Sequence, residues 1–239
     1  MPSKVISEGL PMPPFVFPAP ATPTLPVLGD AAAFPVRRIL CVGRNYAAHR
    51  REMGGDDREP PFFFSKPADA VVSGMKVPFP SRTEELHHEV ELVIALGAGG
   101  EAVSADQALS LVFGYATGVD LTRRDLQTAA KAKGQPWDAA KGFDASAPIS
   151  PIRRWSGPPP TGAIRLWVND ALKQEGEMAD MIWGVAEIIA EASSLWRLAA
   201  GDLIFTGTPE GVGPLGIGDR VRGEIERVGD VAFTIGERR

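Results

Sequence analysis

The sequence predicts an α+β fold built on a mixed or antiparallel sheet, and three observations carry that prediction. Short apolar segments punctuated by glycine, such as 202–205 and 219–225, outnumber the helical stretches. They do not alternate with long crossover helices, as a doubly wound parallel sheet requires. One stretch alone, 181–196, holds a long apolar stripe at three- and four-residue spacing, through Ile182, Val185, Ile189, Ala192 and Trp196.

Residues 1–35 are dense in proline, from Pro2 to Pro35, and read as an N-terminal arm rather than a helix or central strand. The arm carries Phe15, Val16, Phe17, Leu25 and Val27, so it is expected to lie extended over the body or over a partner subunit. Residues 36–239 form a single domain. Regular structure begins with a buried strand at 38–42. Gly43-Arg44-Asn45 turns it into a short helix from Tyr46 to Met53, stopped by Gly54-Gly55. Ser104 and Gln107 resemble a capping box for a helix through Ala105, Ala108, Leu109 and Val112, followed by a strand from Phe113 to Val119. Thr122 with Asp125 predicts a second cap, for a helix running to Lys133 and ended by Gly134. A hairpin turns at Asn169-Asp170 after the strand Ile164–Val168. The long helix 181–196, the strands 202–205 and 219–225, and a last strand at 231–235 complete the chain.

Composition narrows the partner. The chain has 239 residues, of which 44% are hydrophobic and 23% charged, ordinary for a globular protein. A net charge of -5 without a dense Lys/Arg block argues against a nucleic-acid or anionic-membrane surface and for a small-molecule partner. No apolar run approaches the ~20 residues of a membrane span. No basic region followed by an apolar stretch marks a signal peptide, so the cytoplasm is the expected compartment. The single cysteine, Cys41, lies in an apolar strand and reads as a packed small hydrophobe rather than a nucleophile.

Chemistry concentrates at His87-His88-Glu89-Val90-Glu91. On a strand Glu89 and Glu91 point the same way, roughly 6 to 7 Å apart at Cα. Two such carboxylates repel unless neutralised, and a hard divalent cation with open positions does this well. A solvated edge strand of alternating charge is the competing reading. Asp120 ends an apolar strand just before a helix cap, where it can supply a third oxygen or serve the turn. His49 and Glu52 share a helix face at a spacing of three, an arrangement for a water-activating base or a surface ion pair. Gly211-Val212-Gly213-Pro214-Leu215-Gly216 fits G-x-G-x-x-G but runs through proline into a strand and reads as a turn.

Six blocks, namely Val42-Gly43-Arg44-Asn45-Tyr46-Ala47-Ala48-His49, Phe63-Phe64-Ser65-Lys66-Pro67, the His87–Glu91 run, Gly118-Val119-Asp120-Leu121-Thr122-Arg123-Arg124-Asp125, Lys141-Gly142-Phe143-Asp144 and Gly207-Thr208-Pro209-Glu210-Gly211-Val212-Gly213, occur in the order seen in the fumarylacetoacetate hydrolase family. The chain resembles that family from about Phe34 to Ile235, and most of all its bacterial fumarylpyruvate hydrolase branch.

The resemblance implies a mixed β-roll or β-sandwich with a few helices, a homodimer, and one divalent cation per subunit, Mg²⁺ or Mn²⁺, with Ca²⁺ a further option. It implies that Glu89, Glu91 and Asp120 hold the metal and that His49 and Glu52 activate water. Lys141 and Gln127 would contact the reacting dicarbonyl and Thr208 the substrate carboxylate, with Arg44 and Arg124 as helpers. Arg44, Arg123 and Arg124 are the candidates for a carboxylate at the far end of the substrate. The implied reaction is hydrolysis of the carbon–carbon bond of an acylpyruvate, fumarylpyruvate to fumarate and pyruvate in aromatic catabolism. Acetylpyruvate hydrolysis, oxaloacetate decarboxylation and a family isomerase are the alternatives.

Overall fold

The computed structural model describes residues 15–46 and 59–238. A six-stranded sheet runs in the spatial order Arg153–Arg154, Val112–Val119, Val90–Leu96, Asp202–Phe205, Arg38–Gly43 and Phe62–Lys66. Only the Asp202–Phe205 and Arg38–Gly43 pair within it is parallel. A five-stranded sheet of Ala171–Glu177, Ala163–Val168, Arg220–Ile225, Gly229–Arg238 and Lys76–Phe79 faces it, again with one parallel pair. The result is the mixed sandwich with few helices that the family resemblance implies.

Val90–Leu96 is the keystone strand, buried along its whole length. Val90, Leu92, Ile94 and Leu96 share one core with Ile164, Leu166, Val221 and Phe233 of the opposite sheet. Val93 and Ala95 enter a second core with Ile39, Cys41, Leu203 and Phe205. Because side chains alternate faces, a strand buried on both sides reads as continuously apolar. The run after Glu91 does so, which excludes the solvated edge strand. The second core is closed by Leu25, Val27 and Phe34 from a hairpin of Thr24–Pro26 and Ala33–Pro35. The second half of the proline-rich segment is thus packed into the body, while Phe15, Val16 and Phe17 are exposed.

Local structure mostly follows local chemistry. Asn169 and Asp170 take φ of +50° and +68°, the two left-handed positions that a tight hairpin turn demands. Gly134 ends the Arg124–Lys133 helix at φ +62°, its N–H donating to Ala130 and Lys131 carbonyls.

Two helix starts and one helix end differ from expectation. Thr122 does not cap the second helix, which begins at Arg124; Thr122 pairs with His87 in a strand and its Oγ1 accepts from Lys141. The first helix covers only Ala105–Ala108, with a 3₁₀ turn to Leu111 and no side-chain bond from Ser104, and Val112 opens the next strand. The long helix spans Val185–Leu195, not 181–196, because Ile182 and Trp183 donate their N–H groups to the backbone and side-chain oxygens of Asn45. Glu187 then caps Gly184. The expected Tyr46–Met53 helix lies, beyond Tyr46, outside the described residues.

Candidate active site

A short strand, Leu86–His88, breaks at Glu89 before Val90–Leu96 resumes. Asp120 follows the adjacent strand and donates its N–H to the Glu89 carbonyl at 2.8 Å. Glu89, Glu91 and Asp120 therefore converge, all buried, with one carboxylate oxygen of each within 4.8 Å of the others. A strand interruption and a strand end, 31 residues apart in the hydrogen-bond register of one sheet, build the cluster.

Among the described residues three cations pair with it. Lys141 Nζ donates to Glu89 Oε2 at 2.8 Å, Asp120 Oδ2 at 2.6 Å and Thr122 Oγ1 at 2.7 Å. Arg124 pairs with the other Glu89 oxygen and donates to Gln127 Oε1 at 2.5 Å. Lys66 Nζ lies 2.8 Å from Asp120 Oδ1, while its hydrogen bonds go to the Leu121 and Lys141 carbonyls at 3.2 and 2.5 Å. Burial works to raise the Glu89 carboxyl, but the Lys141 and Arg124 charges outweigh it and hold that carboxyl well below its ordinary range. Burial likewise opposes the Lys141 ammonium, and Asp120 and Glu89 more than offset it.

Glu91 is the exception. It receives the Gly207 N–H at 2.6 Å, but burial and then the neighbouring Asp120 and Glu89 charges push its carboxyl well above the usual value. Asp120 Oδ1 is buried and accepts no hydrogen bond among the described residues. An under-compensated carboxylate and a buried all-oxygen donor set fit a hard divalent cation.

The walls come from further elements. Gly207 sits at φ +95°, where a Cβ would lie 2.8 Å from that of Asn45, so glycine alone lets its N–H reach Glu91. Asn45 holds this corner by donating to the Thr206 and Trp183 carbonyls at 2.8 and 3.0 Å. Gln174 Nε2 donates to Thr208 Oγ1 at 2.8 Å and to the Pro209 carbonyl at 3.0 Å, and its Oε1 accepts the Val90 N–H at 3.1 Å. With its oxygen so engaged, the Thr208 hydroxyl is left to donate.

Val42, Gly43, Arg44, Lys131 and Trp137 complete the rim above the carboxylates. Two larger spaces adjoin it. One of about 280 Å³ is bounded by Arg44, Glu59, Phe62, Trp137 and Trp183, and one of about 650 Å³ by Phe62, Phe64, Lys131, Trp137 and Lys141.

Of the residues singled out from sequence, Glu89, Glu91, Lys141, Gln127, Arg124, Arg44 and Thr208 thus border one cavity, and Asp120 lies buried behind it against Glu89, Glu91 and Lys141. Arg123 does not join them: its Nη1 donates to the Ala139 carbonyl at 2.9 Å and its guanidinium stacks 4.5 Å from the Phe143 ring centre. His49 and Glu52 lie outside the described residues. The other two histidines are poor bases. Burial and then the Arg124 charge bring His87 down to about 4, and burial also lowers His88, whose Nδ1 is 2.9 Å from Gln174 Oε1. Lys66, Lys131, Trp137 and Gln174 carry no sequence prediction of a role, although Lys66 lies in one of the six blocks.

The family model described as fumarylacetoacetate (FAA) hydrolase C-terminal matches residues 38–236. The chain belongs to the fumarylacetoacetate hydrolase family. Among curated relatives of this family enzyme, a fumarylpyruvate hydrolase of a Ralstonia species is 46% identical over 180 residues, 74% of this chain and 94% of the relative. A mitochondrial oxaloacetate tautomerase of Mus musculus is 42% identical over 202 residues, 83% of this chain and 91% of the relative. Among solved structures, the fumarylpyruvate hydrolase of Pseudomonas aeruginosa, in complex with Mn²⁺ and pyruvate, superposes with a TM-score of 0.91 at 46% identity, covering 94% of this chain and all of that one. These relatives thus carry the names of a hydrolase and of a tautomerase. Among the described residues no helix of this family member is long and apolar enough to cross a membrane.

Proposed function

We propose that this enzyme hydrolyses acylpyruvates, with fumarylpyruvate as preferred substrate and fumarate and pyruvate as products, and that it works as a homodimer. The likeness to the Pseudomonas aeruginosa enzyme, whose complex holds Mn²⁺ and pyruvate, carries the reading. The buried Glu89–Glu91–Asp120 cluster supports it. Mn²⁺ or Mg²⁺ held by these three carboxylates would supply Lewis acidity toward the 2-keto and carboxylate oxygens of the pyruvyl end.

Charge supports the same substrate class. Three carboxylates face Lys141, Lys66 and Arg124, and Arg44 and Lys131 stand on the rim, so a bound divalent cation leaves a positive excess that a dianionic substrate partly offsets. Thr208 donates its hydroxyl to the pyruvyl carboxylate. Gln127 keeps its amide N–H groups for the dicarbonyl, because its oxygen is taken by Arg124.

His49, held by Glu52, removes a proton from the water that attacks the ketone next to the fumaryl double bond. The adduct collapses, the carbon–carbon bond breaks, and its electron pair leaves on the methylene carbon as pyruvate enolate, which then takes a proton. Lys141 borders the cavity, but its three hydrogen-bonding directions go to Glu89, Asp120 and Thr122. It reaches the enolate oxygen only by exchanging one of these.

Oxaloacetate tautomerisation is the second reading, favoured by the 42% identity to the mouse tautomerase. It moves a proton and requires no attacking water. Incubation with fumarylpyruvate after chelation, and again after Mn²⁺ is restored, separates the two. Equal amounts of fumarate and pyruvate formed only in the restored sample are expected; intact fumarylpyruvate overturns the hydrolase assignment.

A further inference from the structure

The Arg124–Lys133 helix sets Arg124, Gln127 and Lys131 on one face, at spacings of three and four, and all three border the cavity above the carboxylates. Arg124 and Gln127 are committed to Glu89 and to each other. Lys131 stands two turns further on, about 10 Å along the axis from Arg124. It is half-buried, its Nζ lies 5.0 Å from the centre of the Trp137 ring, and it borders the adjoining 650 Å³ space as well. Among the described residues the site carboxylates pair with Lys66, Arg124 and Lys141, not with Lys131. Burial, then the Arg124 and Arg44 charges, bring its ammonium down to about 8. A third cation is therefore held against two others at the outer end of a pocket in an acidic protein, and an anion placed there relieves their repulsion.

We propose that Lys131 is a specificity-determining residue that pairs with a carboxylate at the far end of the acyl group, so that acylpyruvates ending in a second carboxylate are the favoured class. This rests on the acylpyruvate reading above. The seven-carbon chain of fumarylpyruvate spans six bonds, at most about 7.6 Å, or two of the three-bond 3.8 Å spans that separate adjacent Cα atoms. A pyruvyl end at the carboxylate cluster thus leaves the far carboxylate near the second turn of the helix rather than at Arg124. Trp137, packed edge-on to Phe62 at 4.9 Å and tilted on Phe64 at 5.9 Å, gives the unsaturated chain a fixed apolar wall and holds the lysine over its ring face.

Steady-state kinetics of the Mn²⁺-loaded full chain with fumarylpyruvate and acetylpyruvate test the assignment in Lys131→Met and Lys131→Arg. Loss of a charge-assisted bond should raise KM for fumarylpyruvate about tenfold to a hundredfold in Lys131→Met. Both kcat and the acetylpyruvate parameters should stay within about twofold, and Lys131→Arg should recover most of the loss. Equal effects on both substrates, or none, overturn the proposal. Binding gives an independent readout through tryptophan fluorescence. Fumarate should lose about tenfold in affinity in Lys131→Met while the monocarboxylate crotonate is unaffected; unchanged fumarate affinity overturns the assignment. If wild-type protein leaves fumarylpyruvate intact, the hydrolase reading fails, and the fumarate and crotonate titrations still decide whether Lys131 holds a distal carboxylate.

Discussion

Replacing Glu91 by Gln should reverse the stability order of variant and wild type according to whether metal is bound. The carboxylate oxygens of Glu89, Glu91 and Asp120 lie within 4.8 Å of one another, and at an effective dielectric of about 20 two charges at that distance repel by roughly 3.5 kcal/mol. Lys141 and Arg124 pair with Glu89, whereas among the described residues Glu91 accepts only the Gly207 N–H, a bond that a glutamine oxygen can keep. Glu91 therefore holds its proton in the metal-free fold at pH values where the unfolded chain has lost it. The native state then binds more protons than the unfolded state, so stability falls as pH rises above the ordinary carboxyl value of 4.5.

Glutamine removes that liability. With chelator at neutral pH, Glu91→Gln should be more stable by on the order of 3 kcal/mol, a rise in Tm of roughly 5 to 10 °C for a chain of this size. The difference should close toward pH 4. Excess Mn²⁺ should stabilise wild type by about 2.7 kcal/mol at a hundred times Kd, and the variant hardly at all. Thermal unfolding with chelator and with Mn²⁺ measures both. A variant less stable than wild type in chelator would refute the repulsion argument, and an equal gain from Mn²⁺ would show that Glu91 is not a ligand.

His49→Ala should lower fumarylpyruvate cleavage by about 10² to 10⁴ while keeping the Mn²⁺-induced shift in Tm and any oxaloacetate tautomerisation; unchanged cleavage would show that the dyad is only a surface pair. Gln174→Leu leaves the buried Val90 N–H and Pro209 carbonyl unpaired and should cost about 1 to 3 kcal/mol in urea unfolding. It should also raise KM as Thr208 loses its tether, and an unaltered midpoint and KM would contradict the role given to Gln174.

Legibility in the sequence followed the distance over which each feature is built. The Glu89–Glu91 pair was readable because strand alternation is a two-residue rule, and it survives the break in the strand at Glu89. The turn at Asn169-Asp170 and the stop at Gly134 were readable for the same reason. Lys66 and Gln174 were not: Lys66 meets Asp120 across the sheet, and Gln174 is the one fully buried side chain on a strand otherwise exposed or partly covered. Neither fact has a local signature. The start of the long helix was misread because Ile182 and Trp183 continue an apolar stripe, while their N–H groups are claimed by Asn45, far away in sequence. Lys131 lies on a helix whose end was correctly expected, but its place beside Trp137 depends on the loop after Gly134.

The most direct test of the account is a comparison of kcat/KM for fumarylpyruvate cleavage and for oxaloacetate tautomerisation, measured on one preparation of the Mn²⁺-loaded enzyme. Metal-dependent cleavage of fumarylpyruvate to equal amounts of fumarate and pyruvate, with the higher kcat/KM, is the predicted result. Rapid tautomerisation of oxaloacetate with fumarylpyruvate left uncleaved would contradict it.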